Sequence, residues 1–263
     1  MCGIAGYSLS PETQVDRTVA ARALLAGIAE RGGDAAGFAY RGTSPEATVH
    51  KQRSGASALL DVIDVPREAT QLLVHVRDYT KGHPCFPANN HPIRHGSVVG
   101  IHNGIIVNDD ELFARNGIDR AVRGMTVDSE IIFALAERSR GRTARALEQL
   151  VGSLASAWLD EDRPELLLAR GMGRPLWTGT AKGAFLFAST KLALELVERY
   201  TALELRKREL PLGTVLALDA GEVVARDRFR PDMSFVEEDE LPAVRAPHER
   251  DATLQRLAAL HAA

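Results

Sequence analysis

A disulfide framework is the first thing this sequence excludes. Its 263 residues hold two cysteines, Cys2 and Cys85, too few for a stapled scaffold and in keeping with a reducing compartment. No run approaches the ~18 apolar residues of a membrane span, and the start lacks the basic segment plus apolar stretch of a secretory signal. The expectation is a cytoplasmic protein without a membrane partner. Strong charge of one sign is missing too: a formal net charge of −3 gives no electrostatic case for nucleic acid or anionic lipid. Lysine is scarce, five of 32 basic residues, which reads as coding bias. What is present is a 45% hydrophobic chain, long enough for one large core or two small ones.

The apolar pattern alternates between two periods. Gly3–Leu9 reads as a strand, and Val15, Val19, Leu24, Leu25 and Ile28 recur at helical spacing until Gly32-Gly33 stops them. Ala35–Arg41, Thr48–Lys51, Gln71–Arg77 and Ser97–His102 read as strands, with Asn103-Gly104 as a tight turn at the end of the last. Lys81 to Gly96, with three prolines, reads as one long loop without regular structure, and such loops tend to be functional. Helical period returns over Asp128–Arg138 and Thr143–Val151. Further strands are expected at Ala155–Leu159, Glu165–Arg170, Ala184–Ala188 and Thr214–Asp219. Strands in pairs, with helices grouped, favour stacked antiparallel sheets. The core ends near Arg228. Beyond it come three prolines, the acidic run Glu237-Glu238-Asp239-Glu240 and a short helix with Leu254, Leu257 and Leu260 on one side.

Cys2 acquires a special chemistry if Met1 is removed. A thiol with pKa about 8.5 is mostly protonated at neutral pH, whereas an α-amine at about 7.7–8.0 is partly free base on the same residue. Taken alone, Cys2 is equally a small apolar residue opening a buried strand. Four segments accompany it: Arg31-Gly32-Gly33-Asp34-Ala35-Ala36-Gly37, His75-Val76-Arg77-Asp78-Tyr79-Thr80-Lys81-Gly82, Asn89-Asn90-His91-Pro92 and His102-Asn103-Gly104-Ile105-Ile106. In this order they resemble the class II glutamine amidotransferases, which are N-terminal-nucleophile enzymes. The likeness is greatest to the glutaminase domain of glucosamine-6-phosphate synthase and covers about residues 2–225.

The resemblance implies an α+β fold: a four-layer αββα sandwich with two mainly antiparallel sheets, a glutaminase domain over 1–228, and a linker and C-terminal helix over 229–263. It implies L-glutamine as substrate, no cofactor, and Cys2 as nucleophile with Asn103 and Gly104 forming the oxyanion hole. Arg77 and Asp128 would hold the substrate carboxylate and ammonium, with Thr80 and Gly82 lining the same loop. Arg31 and Asp34 brace the turn beside the nucleophile. For Asp128 a helix N-cap is an equal reading, and for Arg77 a solvated strand end. Two positions depart from the pattern, Asp78 where an aromatic residue is usual and Lys81 where histidine is; neither is expected to touch the core chemistry. With no synthase segment in view, ammonia is expected to pass to a separate acceptor subunit. The competing readings are an amidohydrolase of another γ-glutamyl or amide substrate and a catalytically silent glutamine-binding or scaffold subunit. Five histidines between 75 and 102 suggest a metal, but Pro92 and Gly96 deny His91 and His95 a common helix, so no metal site is expected.

Overall fold

Apolar side chains lie on both faces of the central strands, and both faces are used. The computed structural model describes residues 1–139, 141–237 and 242–262. The chain runs β1 (Gly3–Leu9), α1 (Arg17–Ile28), β2 (Ala35–Arg41), β3 (Thr48–Gln52), α2 (Ala56–Leu60), β4 (Gln71–Arg77), β5 (Ile93–His95), β6 (Val98–Ile106), α3 (Asp109–Asn116), α4 (Glu130–Ser139) and α5 (Thr143–Leu147). It continues through β7 (Gly152–Asp160), β8 (Leu166–Arg170), β9 (Trp177–Ala181), β10 (Ala184–Ala188), α6 (Lys191–Tyr200), β11 (Arg206–Glu209), β12 (Thr214–Asp219), β13 (Glu222–Arg228) and α7 (Pro247–Ala262). Seven strands form one sheet, ordered β11-β9-β10-β1-β4-β2-β3, and six the other, β13-β12-β8-β7-β6-β5. Every registered pair is antiparallel.

The period-two alternation of β1 and β4 sorts side chains into layers. Ile4 and Leu73 join Ile101, Ala157, Leu168 and Phe187 in a cluster between the sheets. Their neighbours Ala5, Tyr7, Leu72 and Val74 turn outward to Leu24, Leu25 and Ile28 of α1 and to α6. On the second sheet, Trp158 and Leu167 face Ile131, Ile132 and Phe133 of α4. Helices therefore cover both outer faces, giving the αββα sandwich. Among the described residues no helix is long and apolar enough to cross a membrane.

Several expectations are corrected. Asn103-Gly104 is no turn: β6 runs through it to Ile106, pairing Asn103 with Ala155 and Gly104 with Leu154. The 81–96 segment contains β5 and a single 3-10 turn at Pro87–Asn89. The helix expected over Thr143–Val151 stops at Leu147, where the Leu150 N–H bonds the Leu147 carbonyl and turns the chain into β7. The edge strands β11 and β13 escaped notice because they are highly charged or fully exposed and carry no alternation, as protected sheet edges often do. Of the terminal stripe, Leu257 is 2% exposed within the α1 and α2 core and Leu254 packs beside it, while Leu260 is 37% exposed. The helix thus folds back on its own chain. Glu238, Asp239 and Glu240 of the acidic run lie outside the described residues.

Candidate active site

Register gathers four strand ends of the first sheet. Gly3 pairs with Val76 and Ala35 with Arg77, so the residues before β1, before β2 and after β4 meet. Ser189, just after β10, accepts the Ile4 N–H at 3.0 Å. Half-buried Cys2 sits at this edge, its Sγ donating to the Asp78 carbonyl at 3.4 Å while Arg31 Nε donates to the Cys2 carbonyl at 2.9 Å. Burial pushes the thiol up; the Asp78 carbonyl, the chain's ammonium and Arg77 pull it back. The resting sulfur is a thiol and needs a base. Asp34 closes the turn beside it, its N–H on the Arg77 carbonyl at 3.0 Å and its Oδ2 accepting the Tyr79 N–H at 2.9 Å.

The second sheet contributes β6. Asn103 is fully buried; its Nδ2 donates to Ser189 Oγ at 3.4 Å and its Oδ1 has no partner among the described residues. Ser189 thus links the strand behind Cys2 to this amide. A buried unpaired amide oxygen costs about 1–3 kcal/mol and calls for a functional reason. Gly104 has φ +153°, and a Cβ there would lie 1.9 Å from the Ser153 carbonyl oxygen, so only glycine fits. Behind it, His102 bonds Ser129 Oγ at 2.8 Å and the Ser153 carbonyl at 3.1 Å, and burial drives it down to about 3, so it is neutral. His75, likewise lowered to about 3 by burial, stacks on His91 with ring centroids 4.0 Å apart.

Arg77 is buried and its fork is already engaged. Nη1 donates to Asn90 Oδ1 at 2.6 Å and Nη2 to the Lys81 carbonyl at 2.9 Å and to the Gly82 carbonyl. The guanidinium shapes the loop that carries exposed Thr80 and half-buried Gly82, the latter with φ +81°. Asn89 ties the loop to the Thr126 and Val127 N–H groups at 2.9 and 3.2 Å, and Lys81 Nζ to Asp109 at 2.7 Å. Asp128 is 3% exposed, and its Oδ2 accepts the Ile106 N–H at 2.7 Å, joining the end of β6 to the start of α4. Burial raises it to about 6. Arg77 lies within electrostatic reach of both Cys2 and Asp128.

Asp78 lies nearer the nucleophile than the sequence suggests. Asp78 does touch the nucleophile's surroundings: besides its carbonyl on the thiol, its Oδ2 holds the Met1 ammonium and accepts Arg245 Nε at 3.0 Å. Arg245 was invisible in the sequence, since nothing local links the tail to residue 78. Glu237 is a second tail contact, paired with buried Arg174 through two bonds of 2.6 and 2.8 Å. Among the described residues no three His, Cys, Asp or Glu side chains stand where they could hold a metal ion. A cleft of about 570 Å³ lies elsewhere, lined by His95, Ser97, Glu137 and Arg138, and contains none of the residues above.

Comparison with known proteins follows the same lines. A family model described as a glutamine amidotransferase domain matches residues 85–195. The glutamine–fructose-6-phosphate aminotransferase (isomerizing) of Shouchella clausii is 30% identical over 208 residues, 74% of this chain and 33% of that protein. Its counterpart in Caulobacter vibrioides is 32% identical over 204 residues, 74% of this chain and 32% of that protein. The chain spans about a third of the length of these curated relatives. Among solved structures, glutamine phosphoribosylpyrophosphate amidotransferase from B. subtilis superposes with a TM-score of 0.68 at 22% identity, over 87% of this chain and 49% of that one. A glutamine aminotransferase class-II domain protein from Silicibacter pomeroyi gives 0.55 at 20% identity, over 88% of this chain and 100% of that one. These two share the fold.

Proposed function

The chain belongs to the class II glutamine amidotransferases, and from that premise we propose that it hydrolyses the side-chain amide of L-glutamine at Cys2 and supplies the ammonia to a separate acceptor enzyme. Residues 1–228 carry the chemistry, and the described tail residues, 229–237 and 242–262, fold back upon it. The observation that carries the reading is one edge of the sandwich where a free thiol lies in the field of Arg77 and Ser189 links the strand behind it to the buried Nδ2 donor of Asn103.

The steps balance without an added cofactor. Once Met1 is removed, the Cys2 α-amine takes the thiol proton, and the thiolate adds to the glutamine carboxamide carbon. Asn103 Nδ2 and the Gly104 N–H receive the oxyanion; losing one such donor typically costs about 2.7–4 kcal/mol in the barrier. The ammonium returns its proton to the leaving nitrogen, ammonia departs, and a γ-glutamyl thioester is left for water to cleave to glutamate. Arg77 and Asp128 hold the substrate's charged ends, with Thr80 and Gly82 along the same wall, and Arg31 and Asp34 keep the nucleophile's turn in place.

A diazo-ketone analogue of glutamine tests this directly. It should label Cys2 and spare exposed Cys85, in protein whose intact mass lacks Met1, and glutamate release should vanish in Cys2→Ala. Label confined to Cys85, or full activity with Met1 retained, overturns the assignment.

A further inference from the structure

The tail reaches the surroundings of the nucleophile at Asp78. Asp78 binds the ammonium of residue 1 through Oδ2, and the same oxygen accepts Arg245 Nε at 3.0 Å. Arg245 is held in place: its own N–H and that of Ala246 both bond the Glu30 carbonyl, at 2.8 and 2.9 Å, and Arg250 pairs with the Glu30 carboxylate at 3.0 Å. Glu30 precedes Arg31, whose Nε grips the Cys2 carbonyl. The two ends of the chain thus converge on one carboxylate beside the thiol.

This matters because a carboxylate beside an amine favours the ammonium, and an ammonium cannot take the thiol proton. The other charges on this edge are Arg31, Asp34, Arg77 and Glu30, with Glu30 engaged by Arg250 and Asp34 by the Tyr79 N–H. Arg174, farther along, is neutralised by Glu237. Asp78 is the carboxylate in contact with the Met1 ammonium, one residue before Cys2, and its charge also reaches the Cys2 thiol; Arg245 is the cation on that carboxylate, so removal of Met1 leaves the new Cys2 amine next in the chain to this pair.

We propose that Arg245 is a positioning residue for the reaction: by neutralising Asp78 it keeps the Cys2 α-amine free to act as base. The assignment rests on the reading of Cys2 as an N-terminal nucleophile. It also gives a role to the position where this chain carries Asp78 in place of the usual aromatic residue. Because Arg245 is 40% exposed, solvent screens part of its charge, and the effect is bounded at about one pH unit.

The test uses the full chain starting at Cys2, as processed or released from a cleavable fusion, labelled with [13C]cysteine. Two cysteines give two signals, and Cys85→Ser assigns them. The amine of Cys2 is titrated in wild type, Arg245→Gln, Arg245→Lys, Asp78→Asn and the Asp78→Asn/Arg245→Gln double variant. Arg245→Gln should raise the midpoint by about one pH unit and move the acid limb of kcat/KM for glutamine upward with it. Arg245→Lys should restore both, and adding Arg245→Gln to Asp78→Asn should move neither. A midpoint unchanged in Arg245→Gln, or a shift of equal size without Asp78, overturns the proposal. A shifted midpoint in protein that hydrolyses no glutamine keeps Arg245 in this role and overturns the proposed function instead.

Discussion

Asp128 joins two opposed demands in one carboxyl. Burial raises it from 3.8 to about 6 while the Ile106 N–H still bonds it. The folded state therefore holds the proton more tightly than the unfolded chain, so the stability from this group is complete below pH 3.8 and is lost as pH rises through 6, an effect of about 3 kcal/mol. Asp128→Asn should flatten that part of the stability curve and raise KM for glutamine about tenfold or more, the loss of one charge-assisted bond. Denaturation from pH 4 to 7 and steady-state kinetics check the two halves; an unchanged KM removes Asp128 from substrate binding. Gly104→Ala should abolish activity and destabilise the fold, because the added methyl meets the Ser153 carbonyl. Circular dichroism melts together with the glutaminase rate check this. Cys2, Asn103 and Gly104 were picked out through the ordered motifs whose resemblance to class II glutamine amidotransferases implied their roles; taken alone, Asn103-Gly104 read as a turn. Asp78 was visible only as a departure, and its partner 167 positions away could not be read from spacing.

At the scale of elements, the central strands were legible because Ile4, Leu73 and their neighbours alternate between two apolar layers. Elements without that contrast escaped: β13 is exposed throughout, β11 is highly charged, and the amphipathic α6 was passed over between two strands. The leucine stripe of the tail was visible, but what it packs on was not: Leu257 is buried in the chain's own core, and Glu249 and Arg256 fasten the helix to the Ser57 N–H at 2.9 Å and to Asp61 at 2.6 Å. Leu257→Ala should therefore cost about 2–4 kcal/mol, whereas Leu260→Ala should stay within about 0.5 kcal/mol. Urea titration of both variants checks the contrast; equal losses would mean that the helix does not pack as described.

For the whole molecule, pH dependence is a contest between groups of opposite sign. His75 and His102 are lowered to about 3 and His91 well below its usual value, all by burial. Their stability is complete above the unfolded histidine value of 6.5 and is lost as pH falls toward 3. Three imidazoles outweigh the single rise at Asp128, so net stability should climb from pH 4 to 7. Thermal melts across that range check it; a curve that falls toward pH 7 would mean that the imidazoles are charged in the native protein. The place of β1 has a further consequence, in time. It is the middle strand of its sheet, flanked by β4 and by β10, and beside its start the tail closes a clasp, Arg245 on Asp78. On a ribosome adding about 5–20 residues per second, that clasp arrives only after on the order of tens of seconds of synthesis. Throughout that interval the first residues are open to an aminopeptidase, and Met1 can be trimmed before the growing polypeptide shuts its own start away.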